Sequence, residues 1–298
     1  MKKIVVVGSS NTDLIIKVSE IPRPGETLLG GEFMTFPGGK GANQAVAAAR
    51  AGGDIIFIAS VGDDSYGEEA IKGYKLDNIN TENIKICNGV PSGIALITIS
   101  DSGENAITVA SGANALLLPA DLEEIEEPFH EADYMLIQLE TPLETVQKAV
   151  QLCADLDTRV ILNPAPAAEL PDEILEKVSI ITPNETEAER LTGITVKDVP
   201  TAAKAAESLH SRGIETVIIT MGAMGAYLSD RAGGIRKLVP GFSVQAVDTT
   251  AAGDVFNGQL AVSLAEGKQL ERAIVIAHAA AALSVQKLGA QSSIPRRE

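Results

Sequence analysis

Ile4-Val5-Val6-Val7-Gly8-Ser9 is an unbroken β-branched run stopped by two turn residues, and its reading decides the fold. It is too short for the apolar core of a signal peptide and far short of the roughly 20 residues that span a bilayer. What remains is a buried first β-strand. Similar runs follow at 55–61, 134–139, 160–162, 180–181 and 217–219, each ended by turn residues. Between them the spacing predicts helices over 42–51, 68–76, 143–156, 185–191, 202–212, 255–265 and 270–285. Strand and helix alternate, so the expectation is an α/β fold, a mainly parallel central sheet covered by helices on both faces.

Two stretches break that rhythm. Residues 13–36 and 93–109 alternate polar and apolar residues without a helix between them, with turns at Pro22-Arg23-Pro24-Gly25 and Asp101-Ser102-Gly103. Antiparallel strands in a small second sheet are expected, either a lid over the ligand edge of the main sheet or a pair of decorative hairpins. No linker, repeat or low-complexity tract divides the chain, so residues 1–298 read as one domain carrying this lid.

The 298 residues hold 24 Lys and Arg against 40 Asp and Glu, a formal charge of -16. That field argues against nucleic acid and anionic membrane surfaces as partners, which need clustered basic residues. Anionic ligands would have to be held by local devices. Cys87 and Cys153 give neither a disulfide framework nor metal-ligand spacing, and the cytoplasm is the expected compartment.

Two motifs carry chemistry. Phe36-Pro37-Gly38-Gly39-Lys40-Gly41-Ala42-Asn43 opens a helix with three glycines, where the backbone can approach a ligand closely. It is no Walker phosphate loop, since Gly41 follows the lysine and Met34 stands at the leading glycine, and it lacks the G-x-G-x-x-G dinucleotide spacing. A site for a polyhydroxylated ligand and a simple Gly-rich helix cap both fit. Asp248-Thr249-Thr250-Ala251-Ala252-Gly253-Asp254 puts small residues at a helix start, a ready anion site, with a carboxylate in its first turn. Asp254 is either a general base beside that site or a dipole-compensating residue.

These two motifs, with Asn163-Pro164-Ala165-Pro166-Ala167 and Pro183-Asn184-Glu185-Thr186-Glu187, occur in the order and spacing of the phosphofructokinase-B, or ribokinase-like, carbohydrate kinases. The resemblance covers essentially the whole chain. It implies a three-layer α/β/α sandwich with a β-sheet lid, and ATP-dependent phosphorylation of a pentose, D-ribose first, with deoxyribose, fructose or a nucleoside as other acceptors. A sugar or nucleotide sensor without catalysis would be expected to have lost the Gly253-Asp254 pair. A homodimer, lid against lid, would cover the exposed strands.

By the same resemblance Asp254 takes the proton from the sugar hydroxyl, while the amides of Ala252 and Gly253 form the anion hole. Sugar contacts fall to Asn11, Asp13, Gly39, Lys40, Asn43 and Glu140, together with Asp254. Asn11 and Asp13 taken alone would read as an Asx turn. Asn184 and Glu187 match the family's Asn-x-x-Glu, placed to organise Mg²⁺ and its waters, and alone they read as a capping box. Thr220, Gly222 and Gly225 match the nucleotide-side turn, with Gly253 at the phosphates, and His278 matches a residue near adenine. Met224 stands where Arg or Lys is expected, and the chain stops at Arg296-Arg297-Glu298 where relatives add a helix. A K⁺ site is implied at Asp248, Thr250, Ser284, Lys287, Gly289 and Ser293, mostly through backbone carbonyls.

Overall fold

The computed structural model describes residues 3–29 and 31–297; Gly30, within the expected lid stretch, and Met1, Lys2 and Glu298 lie outside the described residues. The strands are β1 (Lys3–Val7), β2 (Asn11–Val18), β3 (Glu32–Gly38), β4 (Asp54–Gly62), β5 (Ile84–Cys87), β6 (Gly93–Ser100), β7 (Asn105–Ala110), β8 (Ala132–Ile137), β9 (Arg159–Leu162), β10 (Ile180–Ile181), β11 (Thr216–Thr220), β12 (Gly225–Asp230) and β13 (Ile235–Pro240). The main sheet runs in the order β13-β12-β11-β10-β9-β8-β1-β4-β5. From β5 to β11 every neighbouring pair is parallel, and β12 and β13 add an antiparallel hairpin at one edge.

The apolar run that opens the chain is unbroken because both of its faces are buried. Ile4 and Val6 join Phe57 and Leu136 in the core beneath the helices Lys40–Arg50, Ala252–Ala265 and Leu270–Ser284. Val5 and Val7 join Ile58 and Ile137 in the core beneath Leu143–Asp155, Glu185–Thr192 and Val199–Ser211. This is the expected three-layer sandwich. The helices Lys40–Arg50 and Ala252–Ala265 pack closely: a Cβ on Gly258 would stand 2.7 Å from the Ala47 Cβ and 2.7 Å from the Gln44 carbonyl oxygen. That contact fixes the second helix, which carries Asp254, against the first, which carries Asn43 and Gln44.

Several expectations need correction. The strand expected at 134–139 is Ala132–Ile137, so Gln138 and Leu139 leave the ladder. Strands β5, β12 and β13 were not foreseen: β5 is four residues long, β13 is largely exposed, and β12, though buried, contains no β-branched residue. The lid sheet, in the order β3-β2-β6-β7, is not wholly antiparallel. β2 pairs β3 and β6 pairs β7 antiparallel, but β2 and β6 run parallel, Asn11 opposite Gly93. Both strands leave the same end of the main sheet and climb away from it, which dictates that direction.

The register sorts the lid's side chains. Asp13, Ile15, Ala95, Ile97, Ile107 and Val109 share the face that carries Asn11, while Leu14, Ile16, Phe33 and Leu96 share the other. The tail is tied down: Arg296 donates to Asp77 at 2.6 Å, and Arg297 pairs with Glu266. Among the described residues, no helix is long and apolar enough to cross a membrane.

Candidate active site

Chain order fixes where a ligand can sit. From β1 the chain steps outward to β4 and β5, then returns to β8 on β1's other side and continues to β11, so the strand order reverses between β1 and β8. A crevice opens at the carboxyl ends of such strands. The residues just past β1 and β8 meet there: Ser9 Oγ donates to Glu140 Oε2 at 2.5 Å, and the Lys40 amide donates to the same oxygen at 2.9 Å.

The glycines of the 36–43 motif answer mainly to this junction. A Cβ on Gly38 would lie 2.4 Å from the Asp13 carboxylate oxygens, and one on Gly39, whose φ is +88°, would lie 2.7 Å from the Asn11 amide nitrogen. Their bareness lets the helix start lie flat on the β1–β2 connection.

Asp254 lies beneath, buried at the start of the helix Ala252–Ala265. Asn43 Nδ2 donates to Oδ2 at 3.0 Å and Gln44 Nε2 to Oδ1 at 3.0 Å. Burial pushes the Asp254 carboxyl up, while the Lys40 ammonium and the Gln44 and Asn43 donors pull it back toward the ionised form. Gln44 was not singled out by sequence, yet it is wholly buried and uses every polar atom. Its other Nε2 hydrogen goes to Asn163 Oδ1 at 3.1 Å, and its Oε1 accepts from Gln138 Nε2 at 2.6 Å. The chain of bonds continues from Asn163 Nδ2 to the Thr182 carbonyl, from Thr182 Oγ1 to Asn257 Oδ1, and from Asn257 Nδ2 to the Gly253 carbonyl. Gln138, Asn163 and Thr182 each stand immediately after a main-sheet strand, β8, β9 and β10. A buried Gln or Thr at a strand end was the only signal in the sequence, and it is a weak one.

The helix start is built to receive something negative. Three helix starts carry a capping side chain, Asp64, Asn184 and Asp198 each accepting a first-turn amide, while those after Gly39, Pro142 and Gln269 carry none. Before Asp254 stands Ala251, in the left-handed conformation at φ 60°, with no side-chain cap. The Ala252 amide donates to the Thr249 carbonyl at 3.2 Å, so it is engaged within the loop. The amides of Gly253 and Asp254, by contrast, make no hydrogen bond among the described residues. They border a cavity of about 200 Å³ together with Lys40, Asn184, Glu187 and Thr220.

Four carboxylates, of Asp254, Glu140, Glu187 and Asp13, surround Lys40 and hold its ammonium above its usual range although burial works against the charge. Asp13 is pushed up to about 6 by burial first and then by Glu140 and Asp254. Glu187 is raised by burial, against the pull of the Asn184 amide and Lys40. Its Oε1 accepts from Asn184 Nδ2 and its Oε2 from the Asn184 amide, so the capping box and the cavity wall are the same pair. Asn11 and Glu140 line a second cavity of about 350 Å³ with Val109 and Asn114.

Other expected residues fall outside these walls. Gly222 and Gly225 shape the turn from β11 to β12, and a Cβ on Gly225 would lie 2.1 Å from the Val239 carbonyl oxygen. His278 is not on a helix surface: it is buried against Phe256 at 5.0 Å between ring centres, burial pushes it down to about 4, and its Nε2 has no partner. Asp248 is a brace, its Oδ1 accepting from the Thr250 amide and hydroxyl and its Oδ2 from the Gly289 amide. These donors hold it below the usual carboxylate range although burial alone would raise it. The Val247 amide donates to Val285, which draws this loop to the end of Leu270–Ser284, where the Lys287 amide closes on the Ser284 carbonyl. The Ser293 hydroxyl turns instead to Ala290.

A buried carboxylate held by two side-chain donors, a junction of hydrogen-bonding groups and a helix start with free amides meet at one crevice, an arrangement whose chemistry suits phosphoryl transfer to a hydroxyl. The model of the pfkB family carbohydrate kinases matches residues 1–297, and the chain belongs to that family. It is 47% identical over 297 residues to a ribokinase of Haemophilus influenzae, covering 100% of this chain and 96% of that one. A Bacillus subtilis ribokinase is 41% identical over 298 residues, covering 100% and 97%. The structure of Arabidopsis thaliana ribokinase complexed with ribose and ATP superposes with a TM-score of 0.91 at 31% identity, covering 99% and 96%.

Replacing Gln44 by Met removes a donor to Asp254 while keeping volume, so the Asp254 carboxyl rises further and the base is protonated at higher pH. The acid limb of the pH profile of kcat/KM for the acceptor then moves upward by about one unit. A limb that stays in place would assign Gln44 to packing alone.

Proposed function

We propose that this chain transfers the γ-phosphoryl group of ATP to the terminal hydroxyl of D-ribose, giving ribose 5-phosphate and ADP. The observation that carries this reading is Asp254, a buried carboxylate held by Asn43 and Gln44 beside two free helix-start amides. Asp254 accepts the proton of the attacking hydroxyl, and the Gly253 and Asp254 amides with the helix dipole take up charge on the transferred group. Lys40 offsets the carboxylates, and Asn11, Asp13, Gly39, Asn43 and Glu140 hold the sugar hydroxyls. Asn43 Oδ1 is buried without a partner, an acceptor that a hydroxyl would satisfy. Asn184, Thr220, Gly222, Gly225 and His278 are assigned to the nucleotide side. Two buried free thiols suit the cytoplasm.

Glu187 with Asn184 is suited to hold Mg²⁺ through its waters, since both carboxylate oxygens already accept from Asn184. When bound, that ion neutralises phosphate charge. For K⁺, no hydrogen bond among the described residues reaches the carbonyl oxygens of Asp248, Thr250, Gly289 or Ser293, a hard-oxygen set fit for a large monovalent ion. Ser284 and Lys287 complete that loop. The lid's outer face exposes Phe33 (64%), Leu96 (56%) and Ile16 (38%), which supports pairing of two copies through their lids.

Asp254→Asn should lower kcat by at least roughly 100-fold with ribose while ATP binding, read by calorimetry, stays within a few-fold. Full turnover would remove Asp254 as the base, and a wild-type panel in which deoxyribose, fructose or a nucleoside outruns ribose would move the acceptor. At matched Mg²⁺ and ionic strength, saturating assays in KCl should run several-fold faster than in NaCl, and equal rates would count against the cation loop. Phe33→Glu combined with Leu96→Glu should halve the mass seen in sedimentation equilibrium; an unchanged mass would rule out the lid-to-lid dimer.

A further inference from the structure

Asn114 belongs to no motif singled out by the sequence, yet it is buried where three segments cross: the β1–β2 connection, the start of β6 and the short 3₁₀ turn Gly112–Leu116 that leaves the lid. Its Oδ1 accepts from the Ser10 amide at 2.8 Å. A backbone N–H can only donate, so this bond fixes which end of the Asn114 amide is oxygen. Both Nδ2 hydrogens are then directed, one to the Ser10 carbonyl at 3.2 Å and one to Asn11 Oδ1 at 2.7 Å. The second bond fixes Asn11 in turn: its oxygen faces Asn114, and its Nδ2 makes no hydrogen bond among the described residues. Gly93 makes room for the pair, since a Cβ there would stand 2.2 Å from both Asn11 Oδ1 and Asn114 Nδ2.

We infer that Asn114 is a positioning residue that holds Asn11 with its N–H₂ toward the acceptor sugar, making position 11 a hydrogen-bond donor. This rests on the proposed role of Asn11 as a sugar contact. The polarity matters because the neighbouring groups are carboxylates. Asp13, Glu140 and Asp254 only accept when ionised, so a sugar hydroxyl facing them spends its single proton there and its lone pairs need a donor. A reversed Asn11 would put a second acceptor against the same hydroxyl and lose that bond. The lid is tied into the same knot, because Asn114 joins the strand that enters it to the turn that leaves it.

Asn114→Asp keeps the shape and the bond from the Ser10 amide but replaces the donor with an acceptor. Asn11 then turns over to donate to the new carboxylate. The expected result is a fall of roughly tenfold or more in kcat/KM for ribose, with KM for ATP within about twofold. Asn114→Ala, which removes the donor without adding charge, should show the same pattern more weakly and serves if Asn114→Asp is unstable. Both are repeated in an Asn11→Ala background. If Asn114 acts through Asn11, its substitution adds little to the ribose defect there. The same factor in both backgrounds, or loss of ATP affinity in parallel with ribose, would overturn the inference and leave a structural role. An Asn11→Ala enzyme with unchanged ribose kinetics would instead remove Asn11 from the sugar site, a failure of the proposed function itself.

Discussion

A carboxylate cannot stay ionised in a dry site unless fixed donors replace the water it has lost, and much of the geometry at the crevice follows from meeting that need at Asp254. Its two oxygens take one bond each from consecutive residues of a different helix. Consecutive residues point about 100° apart on a helix, so Asn43 and Gln44 can grip one carboxylate only if the two helices nearly touch. The Gly258 contact with Ala47 and the Gln44 carbonyl provides that closeness. The Ala-rich face of Lys40–Arg50, which reads as a bland amphipathic helix, is thus the mount of the Asp254 carboxylate.

The same need reaches into the sheet. Gln44 can present both amide hydrogens only because Gln138 occupies its oxygen, and Asn163, Thr182 and Asn257 carry the network back to the Gly253 carbonyl in the first turn of the helix bearing Asp254. Gln138, Asn163 and Thr182 each follow the end of a parallel strand, so the sheet's register sets their spacing, while Asn257 lies on the helix Ala252–Ala265. A polar network buried this deeply is stable only when nearly every member is satisfied, which ties the strand ends, the helix and the base into one unit. Gln138 Oε1 is left without a partner.

Ile4 to Val7 and the later runs made the layered sandwich legible, because a strand buried on both faces writes itself as continuous apolar sequence. The lid's existence was legible too, from its alternation, but the parallel pairing of β2 with β6 was not: residues 11 and 93 meet only because two distant strands leave the same edge. Asp254 and the small residues before it stood out by composition. Gln44, Gln138 and Asn114 did not, since a neutral amide carries no charge signature and its partners lie 94 to 210 positions away. The glycines of 36–43 were visible but their reason was not, as it lies in the backbone of residues 8–11 and the side chain of Asp13.

The contrast between helix starts shows how local rules yield to function. Asp64, Asn184 and Asp198 obey the preference for a capping side chain, while Gly39, Pro142 and Gln269 open helices without one. At Ala251 it is withheld, and a left-handed alanine, which costs of order 1 kcal/mol or more, stands in its place. A Ser or Asp there would offer its own oxygen to the Gly253 and Asp254 amides. In a chain of net charge -16 a second carboxylate at that point would also repel the ligand. The loop braced by Asp248, Thr250 and Gly289 holds the strained residue in place, and among the described residues the next two free amides, of Gly253 and Asp254, keep no internal partner.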